Sequence, residues 1–181
     1  MNYIRTHSGR KFFTTPTPDQ VDLEDIATAL SRVPRFGGHS FQKYSVAAHS
    51  LHVSFLVPKH LQLQALFHDA SEAYISDIPS PFKALMPDYK KIEDGIMRAV
   101  AGKFGFDWPK DPIVKTADSA ALYMERDGLF ILAQWLDNEV IPYVKPPVDL
   151  RWDFNRWSVM QPEDLACQFY SRANHLLKND H

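Results

Sequence analysis

Hydrophobic residues recur at helical spacing along most of the chain. Leu23, Ile26, Ala27 and Leu30 lie at i, i+3, i+4 and i+7, and Asp22 stands before them where a helix N-cap belongs. This pattern predicts a first helix. The same criteria, with prolines and glycines as stops, predict further helices over about 44–57, 61–75, 87–105, 111–135 and 162–177.

The segments between these helices contain proline or glycine. A Pro-Arg-Phe-Gly-Gly connector occupies residues 34–38. Residues 76–81 contain two prolines two residues apart and are predicted not to be helical. Residues 142–157 include Pro146-Pro147 and several aromatic residues, so we expect an extended connector or a short hairpin there. The pattern as a whole predicts an all-α fold.

Length and composition indicate one domain. The chain has 181 residues, within the range of about 100–200 for a typical domain, so residues 1–181 are predicted to form one compact multi-helix domain. Seven glycines against 13 prolines suit helices joined by rigid connectors and fit poorly with a barrel full of tight turns. With 45% hydrophobic and 23% charged residues, wholesale disorder is excluded.

Charge, targeting signals and cysteine content narrow the function classes. Twenty basic and 22 acidic residues give a net charge of -2, so no charge excess favours nucleic acid or an anionic membrane as a partner. The first residues lack the apolar stretch of a signal peptide, and no apolar run is long enough to span a bilayer, so a cytoplasmic protein is expected. A single cysteine, Cys167, excludes an intramolecular disulfide and a cysteine-rich zinc site, and we expect it to be a small buried residue.

Ionisable residues fall on the apolar faces of three predicted helices. His49 lies on the second helix, His68, Asp69 and Glu72 on the third, and Asp118 on the fifth. An isolated buried carboxylate is costly, whereas a divalent cation held by two imidazoles and two carboxylates would compensate the charges. This mixed nitrogen and oxygen donor set suits zinc, cobalt, manganese or iron.

The simpler alternative for each of these residues is a structural role. A single histidine on an apolar face is more often a hydrogen-bonded core residue than a metal ligand. The adjacent pair His68-Asp69, with Glu72 one turn later, favours a metal site instead. Neighbouring helical residues point about 100° apart, so both members of the pair reach one ion only where the helix faces a cleft.

These residues also resemble a known signature. His49, His68-Asp69 and Asp118 resemble the H…HD…D pattern of the HD-domain metal-dependent phosphohydrolases. The segments 68–72 and 76–83 are similar to those of the HD-domain 5'-deoxynucleotidases of bacteria and the related bacteriophage dATP triphosphohydrolases. The resemblance extends over about residues 30–126, and includes a Tyr-Ser-Val-Ala-Ala-His-Ser segment at 44–50.

The resemblance implies a role for each matching position. It implies that the metal ligands are His49, His68, Asp69 and Asp118. It places Glu72 and Asp77 in catalysis, near the attacking water or the leaving oxygen. For Glu72, the alternative is a surface acid in an i, i+4 pair.

Candidate substrate contacts surround this signature. A bound divalent ion lowers the pKa of its water and polarises a phosphoryl oxygen, and cationic side chains then stabilise the charge of phosphoryl transfer. The candidates are Arg35, Lys83 and Lys115, of which Lys115 precedes Asp118 by three residues and is expected to lean over the same cleft. Each lysine is as well explained, taken alone, by a solvated surface charge.

The connector before the second helix offers further contacts. Phe36 would stack on a base or sugar, at a position where the bacterial deoxynucleotidases usually carry Trp after Arg. His39 follows Gly37-Gly38 and would contact phosphate, or is an exposed loop histidine. His52, three residues after His49, is expected either to contact the site from behind or to lie at the surface.

Three functional hypotheses follow. The first is a nucleotide phosphohydrolase that cleaves the 5' phosphoester of a deoxynucleotide, with dATP or another deoxynucleoside triphosphate preferred and a deoxynucleoside 5'-monophosphate as the alternative. The second is another HD-type phosphodiesterase, and the third a non-catalytic metal-holding module that binds a nucleotide. The implied cofactor is zinc, cobalt or manganese, with additional magnesium or cobalt for a polyphosphate. The resemblance also implies a further copy of the chain as a partner, since the family that it resembles forms homo-oligomers, and no partner is expected besides this copy and the small-molecule substrate.

Overall fold

The computed structural model describes residues 2–129, 157 and 160–179. Two short strands, β1 (Tyr3–Arg5) and β2 (Lys11–Phe13), precede the helices. The α-helices in the described ranges are α1 (Leu23–Arg32), α2 (Val46–Phe55), α3 (Gln62–Phe67), α4 (Glu72–Ile75), α5 (Ser80–Lys83), α6 (Pro87–Phe104), α7 (Pro112–Leu129) and α8 (Pro162–Asn179). Short 3-10 helices lie at Pro18–Gln20, Arg35–Gly38 and Lys59–Leu61. The predicted all-α class is confirmed.

Helix α2 lies at the centre of the molecule. Nine of its ten residues are buried, because α2 packs against α1, α3, α7 and α8. The Ser45 side chain caps its N-terminus by accepting from the backbone N–H of Ala48. Three polar residues of this helix, His49, Ser50 and Ser54, are therefore fully shielded from solvent.

The outer helices start where the sequence predicts. The Asp22 carboxylate accepts from the backbone N–H groups of Glu24 and Asp25, so α1 is capped as expected. Asp111 caps α7 in the same way, through a 2.7 Å bond from the backbone N–H of Ile113. Helix α1 packs along α8, and the main hydrophobic core lies between them and α2.

The predicted third helix is wrong as a single element. The chain leaves α3 after Phe67, makes tight i, i+3 bonds through residues 67–73, and resumes as α4 at Glu72. The periodicity alone did not show this break, because 3-10 turns keep residues i and i+3 on one face. Residues 80–81, predicted not to be helical, begin α5; a proline in the first turn of a helix has no hydrogen-bond partner to lose.

A two-stranded antiparallel ribbon was missed by the pattern analysis. Ile4 pairs with Phe12, and the buried Phe12 ring stacks on Tyr74 with 3.6 Å between ring centroids. Strands of three residues are too short to show a clear alternation.

Three further expectations concern Cys167, the C-terminal third of the chain and membrane-spanning helices. Cys167 is exposed on α8, so its predicted burial is wrong. The expected end of the fifth helix near residue 135 and the connector at 142–157 lie, except for Trp157, outside the described residues. None of the described helices has both the length and the apolar character needed to cross a membrane.

Candidate metal centre

The structure brings together four predicted ligands from three parts of the fold. His49 comes from the middle of α2, His68 and Asp69 from the turn that follows α3, and Asp118 from the second turn of α7. One ligand atom from each residue lies within 4.8 Å of all the others. We call these four residues the His–Asp cluster.

The distances within the cluster fit a divalent cation. The Nε2 atoms of His49 and His68 are 3.2 Å apart. Asp118 Oδ1 lies 3.2 Å and 3.6 Å from these two atoms, and Asp69 Oδ2 lies 3.7 Å and 3.1 Å from them. Ligands about 2.0–2.2 Å from a tetrahedral ion are separated by roughly 3.3–3.6 Å. The donor set and its spacing therefore fit an ion such as zinc.

Both imidazoles are oriented by a partner behind them. His49 Nδ1 donates to Glu125 Oε1 at 2.6 Å, and His68 Nδ1 donates to the carbonyl oxygen of Ala65 at 2.7 Å. Because both partners only accept, the Nδ1 atoms hold protons and the Nε2 atoms face the cluster. Metal-ligating histidines characteristically use such partners to fix ring orientation and tautomer.

Glu125 is the functional residue that the sequence analysis missed. Its carboxylate is fully buried and accepts from His49 and the Tyr44 hydroxyl at one oxygen, and from Arg35 at the other. Burial opposes its charge, but His49 and Arg35 lower its pKa below the usual value. A signal was available, since Glu125 follows Asp118 by seven residues and so lies on the same face of α7.

Tyr44 extends this network to His52. The Tyr44 hydroxyl donates to Glu125, which leaves its oxygen to accept from Nδ1 of His52, 2.7 Å away. Burial and the charge of Glu125 raise the pKa of Tyr44 well above its usual value, so the hydroxyl keeps its proton. His52 is therefore a buried support of the site.

A cavity of about 640 Å³ opens over the cluster. His68, Asp69 and Asp118 lie in its wall together with the two predicted catalytic acids, Glu72 and Asp77. The structure thus places three of the four predicted ligands and both predicted acids on one concave surface, with His49 buried behind it, and a concave surface is the usual form of a small-molecule site.

Glu72 is buried in this cavity wall and incompletely bonded. Its side chain is only 3% exposed, and its Oε2 atom has no hydrogen-bond partner among the described residues. Burial, followed by the charges of Asp69 and Asp77, raises the pKa of Glu72 to about 9. Burial and Asp69 also raise the pKa of Asp77, against the opposing effects of Arg35 and Lys83.

The predicted cations divide into two groups. Arg35 is buried, holds Glu125 and lies 3.9 Å from Asp69, while Lys83 lies 3.5 Å from Glu72 and 2.8 Å from Glu93. Both line the cavity. Phe36 lines it as well, with the Arg35 guanidinium 5.3 Å from its ring centroid.

His39 and Lys115 do not reach this cavity. Both side chains are exposed, and neither is among the described residues that line it. Lys115 follows the buried Val114 on the solvent side of α7, so the expectation that it leans over the cleft is not met. The lysine that contacts Asp118 is Lys110, at 3.1 Å, which the sequence analysis did not single out.

The charges of the cluster are coupled. Burial opposes ionisation of Asp69 and Asp118, but His68 lowers the pKa of both carboxyls well below the usual range. Burial likewise disfavours a charged His68, yet Asp69 and Asp118 raise its pKa to about 9. Without a metal, the proton on His68 therefore balances part of the negative charge.

The cluster residues lie within a chain that has recognisable relatives. No protein-family model matches the chain. It is 42% identical over 130 residues to the uncharacterized protein YfdR of Escherichia coli, in an alignment that covers 71% of this chain and 73% of YfdR. It is 33% identical over 140 residues to an uncharacterized protein of Rhodobacter capsulatus, with 69% of this chain and 71% of the relative covered. With this identity and coverage, the chain belongs to the same protein family as YfdR.

Proposed function

We propose that this protein is a divalent-metal-dependent phosphohydrolase of the HD type, which cleaves the 5' phosphoester of a deoxynucleotide. One observation carries the proposal: three residues of the His–Asp cluster lie in the wall of a 640 Å³ cavity that is also lined by the acids Glu72 and Asp77 and by several cations. The resemblance of these residues to the HD-domain deoxynucleotidases supports the same conclusion.

The residues of the cavity supply complementary chemistry. A divalent ion held by the cluster would provide a Lewis acid for the phosphoryl group and a nucleophilic water at neutral pH. Arg35, Lys83 and Lys110 line the cavity, where their charges would meet phosphoryl oxygens. Catalysis of phosphoryl transfer consists mostly of such positioning and charge stabilisation.

Two raised carboxyl pKa values suggest an acid and a base. Glu72, whose pKa of about 9 keeps it protonated at neutral pH in the metal-free protein, would donate its proton to the leaving O5' oxygen. Asp77, whose ionised form is favoured by the charges of Arg35 and Lys83 although burial raises its pKa, would accept a proton from the attacking water. Water then adds to phosphorus, the P–O5' bond breaks, and the products are a nucleoside and a phosphate or polyphosphate.

The charges that line the cavity help to decide how many phosphate groups the substrate carries. The described lining residues include six carboxylates, namely Asp69, Glu72, Asp77, Glu93, Asp94 and Asp118. They include four cations, namely Arg35, Lys83, Lys90 and Lys110. Because Lys83 and Lys110 are already paired with Glu93 and Asp118, a polyphosphate would need divalent cations to balance its charge in this cavity. We therefore propose a deoxynucleoside triphosphate as substrate with additional magnesium or cobalt, and a monophosphate as the alternative.

The test is a substrate screen with product analysis. The protein is loaded with zinc, cobalt or manganese and incubated with nucleoside mono-, di- and triphosphates, and released phosphate is distinguished from released triphosphate. The proposal expects hydrolysis of deoxynucleotides by the loaded protein, little by chelated protein, and little by Asp118→Ala. Tight nucleotide binding without turnover for every substrate and metal would instead identify a non-catalytic binding module.

A further inference from the structure

The loop between α6 and α7 is fastened at both ends by one buried side chain. Gln64 lies on α3, one turn before His68, and is 5% exposed. Its Nε2 donates to the carbonyl oxygen of Asp107 at 2.5 Å, and its Oε1 accepts from the backbone N–H of Asp111 at 2.7 Å. The loop residue Lys110 is therefore held in a fixed place relative to the His–Asp cluster.

Lys110 contacts the outer side of both cluster carboxylates. Its Nζ donates to Asp118 Oδ2 at 3.1 Å and lies 3.9 Å from Asp69 Oδ1. The other oxygens of the same carboxylates face the imidazoles, with Asp118 Oδ1 3.2 Å from His49 Nε2 and Asp69 Oδ2 3.1 Å from His68 Nε2. Each carboxylate thus has one oxygen turned to the imidazoles and one turned to the same ammonium group.

We propose that Lys110 is a positioning residue that sets the metal selectivity of the cluster. Its hydrogen bond to Asp118 Oδ2 and its charge 3.9 Å from Asp69 Oδ1 leave each carboxylate one oxygen for a cation. The inference rests on the metal centre of the proposed function, and concerns which ion that centre prefers.

The physical basis is the number of ligand atoms. Two imidazole nitrogens and two single carboxylate oxygens give four protein ligands, the number that zinc and tetrahedral cobalt favour. If the outer oxygens were released, each carboxylate could bind the ion through both of its oxygens. The cluster would then offer up to six ligand atoms. Manganese, which favours oxygen ligands and octahedral sites, would gain more from this change than zinc.

The ratio of the affinities for Zn²⁺ and Mn²⁺ distinguishes an effect of Lys110 on carboxylate geometry from a simple repulsion between its charge and the ion. Removing the ammonium charge increases the attraction of the site for every divalent cation by about the same factor. That factor cancels when the dissociation constants of Zn²⁺ and Mn²⁺ are compared in one variant. A change in the ratio therefore reports the carboxylate geometry.

The experiment compares Lys110→Met with Lys115→Met. Methionine keeps most of the aliphatic stem, and Lys115 is an exposed lysine outside the cavity that controls for the loss of one charge near α7. We expect Lys110→Met to lower the preference for Zn²⁺ over Mn²⁺ by roughly tenfold, as removal of a group that orients metal ligands does elsewhere. The visible absorption of the Co²⁺-loaded variant should also weaken, because cobalt with more than four ligands absorbs less. Lys115→Met should match the parent in both measurements.

Several outcomes would overturn the inference. An unchanged affinity ratio and cobalt spectrum in a folded Lys110→Met protein, checked by circular dichroism, would show that Lys110 does not set the carboxylate geometry. If the only change were weaker nucleotide binding, Lys110 would be a phosphate contact. Failure of the parent to bind any of the three ions would overturn the metal centre itself, and with it the proposed function. A shifted ratio in a protein without hydrolase activity would overturn the proposed activity alone.

Discussion

Glu125 Oε1 accepts a 2.6 Å hydrogen bond from His49 Nδ1, and both side chains are fully buried. The other oxygen of Glu125 is held by Arg35, whose guanidinium lies in the wall of the cavity. One carboxylate therefore orients a candidate metal ligand and a candidate phosphate contact together. Helix α7 therefore contributes both a candidate metal ligand, Asp118, and the residue that orients the ligand His49, which is Glu125.

The first prediction concerns this buried carboxylate. Glu125→Gln should lower metal affinity by about 10–100-fold, the usual effect of removing a group that orients a ligating histidine. An amide accepts at only one of its two ends, so either His49 or Arg35 would face an NH2 group. Competition with a chelator of known affinity measures the change.

Stability provides a second measurement on the same variant. Glu125→Gln should lower the free energy of unfolding by about 3–5 kcal/mol, the usual cost of removing one partner of a buried ion pair. The reason is that Arg35 would keep its buried charge without the opposite charge of Glu125. Glu163 is a control, since it is exposed on α8 and its pairing with Arg32 is long, at 3.8 Å. Glu163→Gln should change the free energy of unfolding by less than about 0.5 kcal/mol. Parental metal affinity in Glu125→Gln would show that this contact is not needed for the metal site.

The second prediction separates metal binding from chemistry. The purified protein should contain about one transition-metal ion per chain, and Asp69→Ala should lose it. Glu72→Ala should keep the metal and bind nucleotide, yet lose about 10²–10⁴-fold in turnover, the range for a positioned acid or base. Elemental analysis and initial rates on the same preparations provide both quantities.

Two results would contradict this division of roles. Full metal content in Asp69→Ala would mean that the His–Asp cluster is not the binding site. Turnover within a few-fold of the parent in Glu72→Ala would mean that this buried acid is structural and takes no part in the reaction.

The sequence was sufficient to predict the cluster because helical periodicity carries three-dimensional information. An ionisable residue at a position where the helical period demands an apolar one must point inward, and His49 and Asp118 both satisfied this condition. The N-caps at Asp22 and Asp111 were also readable, since each depends on residues two or three positions away.

Contacts that depend on loop geometry were not predictable in this way. Lys110 reaches Asp118 from a loop that is bonded to Gln64 on another helix, 47 residues before Asp111. Lys115 had the more suggestive spacing, but the register of α7 turns it to solvent. The spacing of residues along one helix predicts which of them share a face of that helix. It does not predict the path of the loop before the helix, where Lys110 lies.

The third prediction is a pH dependence of metal binding. The pKa of His68 is about 9 in the metal-free protein, against about 6.5 for an ordinary histidine, because Asp69 and Asp118 favour its charged form despite burial. A metal can bind His68 Nε2 only after this proton leaves. Metal affinity should therefore rise by about tenfold per pH unit for each proton released, from pH 6.5 up to about 9.

The same titration has an opposite effect on the metal-free protein. Because the pKa of His68 is higher in the folded than in the unfolded protein, its proton stabilises the fold. This stabilisation is complete below the pKa of the unfolded state, about 6.5, and is lost as the pH rises through about 9. The gap in melting temperature between metal-loaded and chelated protein should therefore widen from pH 6.5 to 9. Thermal denaturation at three pH values checks this, and a gap that narrows or stays constant would contradict it.

The last prediction concerns base selectivity. Phe36 is half-buried in the cavity wall, and its backbone is in the left-handed region at φ 56°, which is unfavourable for a phenylalanine. A ring fixed by such a turn can offer a base a flat apolar face, and base–aromatic stacking contributes about 1–3 kcal/mol. Phe36→Leu should remove this stacking and reduce the ratio of kcat/KM for the preferred base over the others by a corresponding amount. The control is Phe41→Leu, because Phe41 also lies between α1 and α2 but is 76% exposed. The comparison uses dATP, dGTP and dCTP with the parent and both variants. If Phe36→Leu left the ratio unchanged, the base would be recognised by other groups of the cavity, and residues 77–81 are candidates because they also line it.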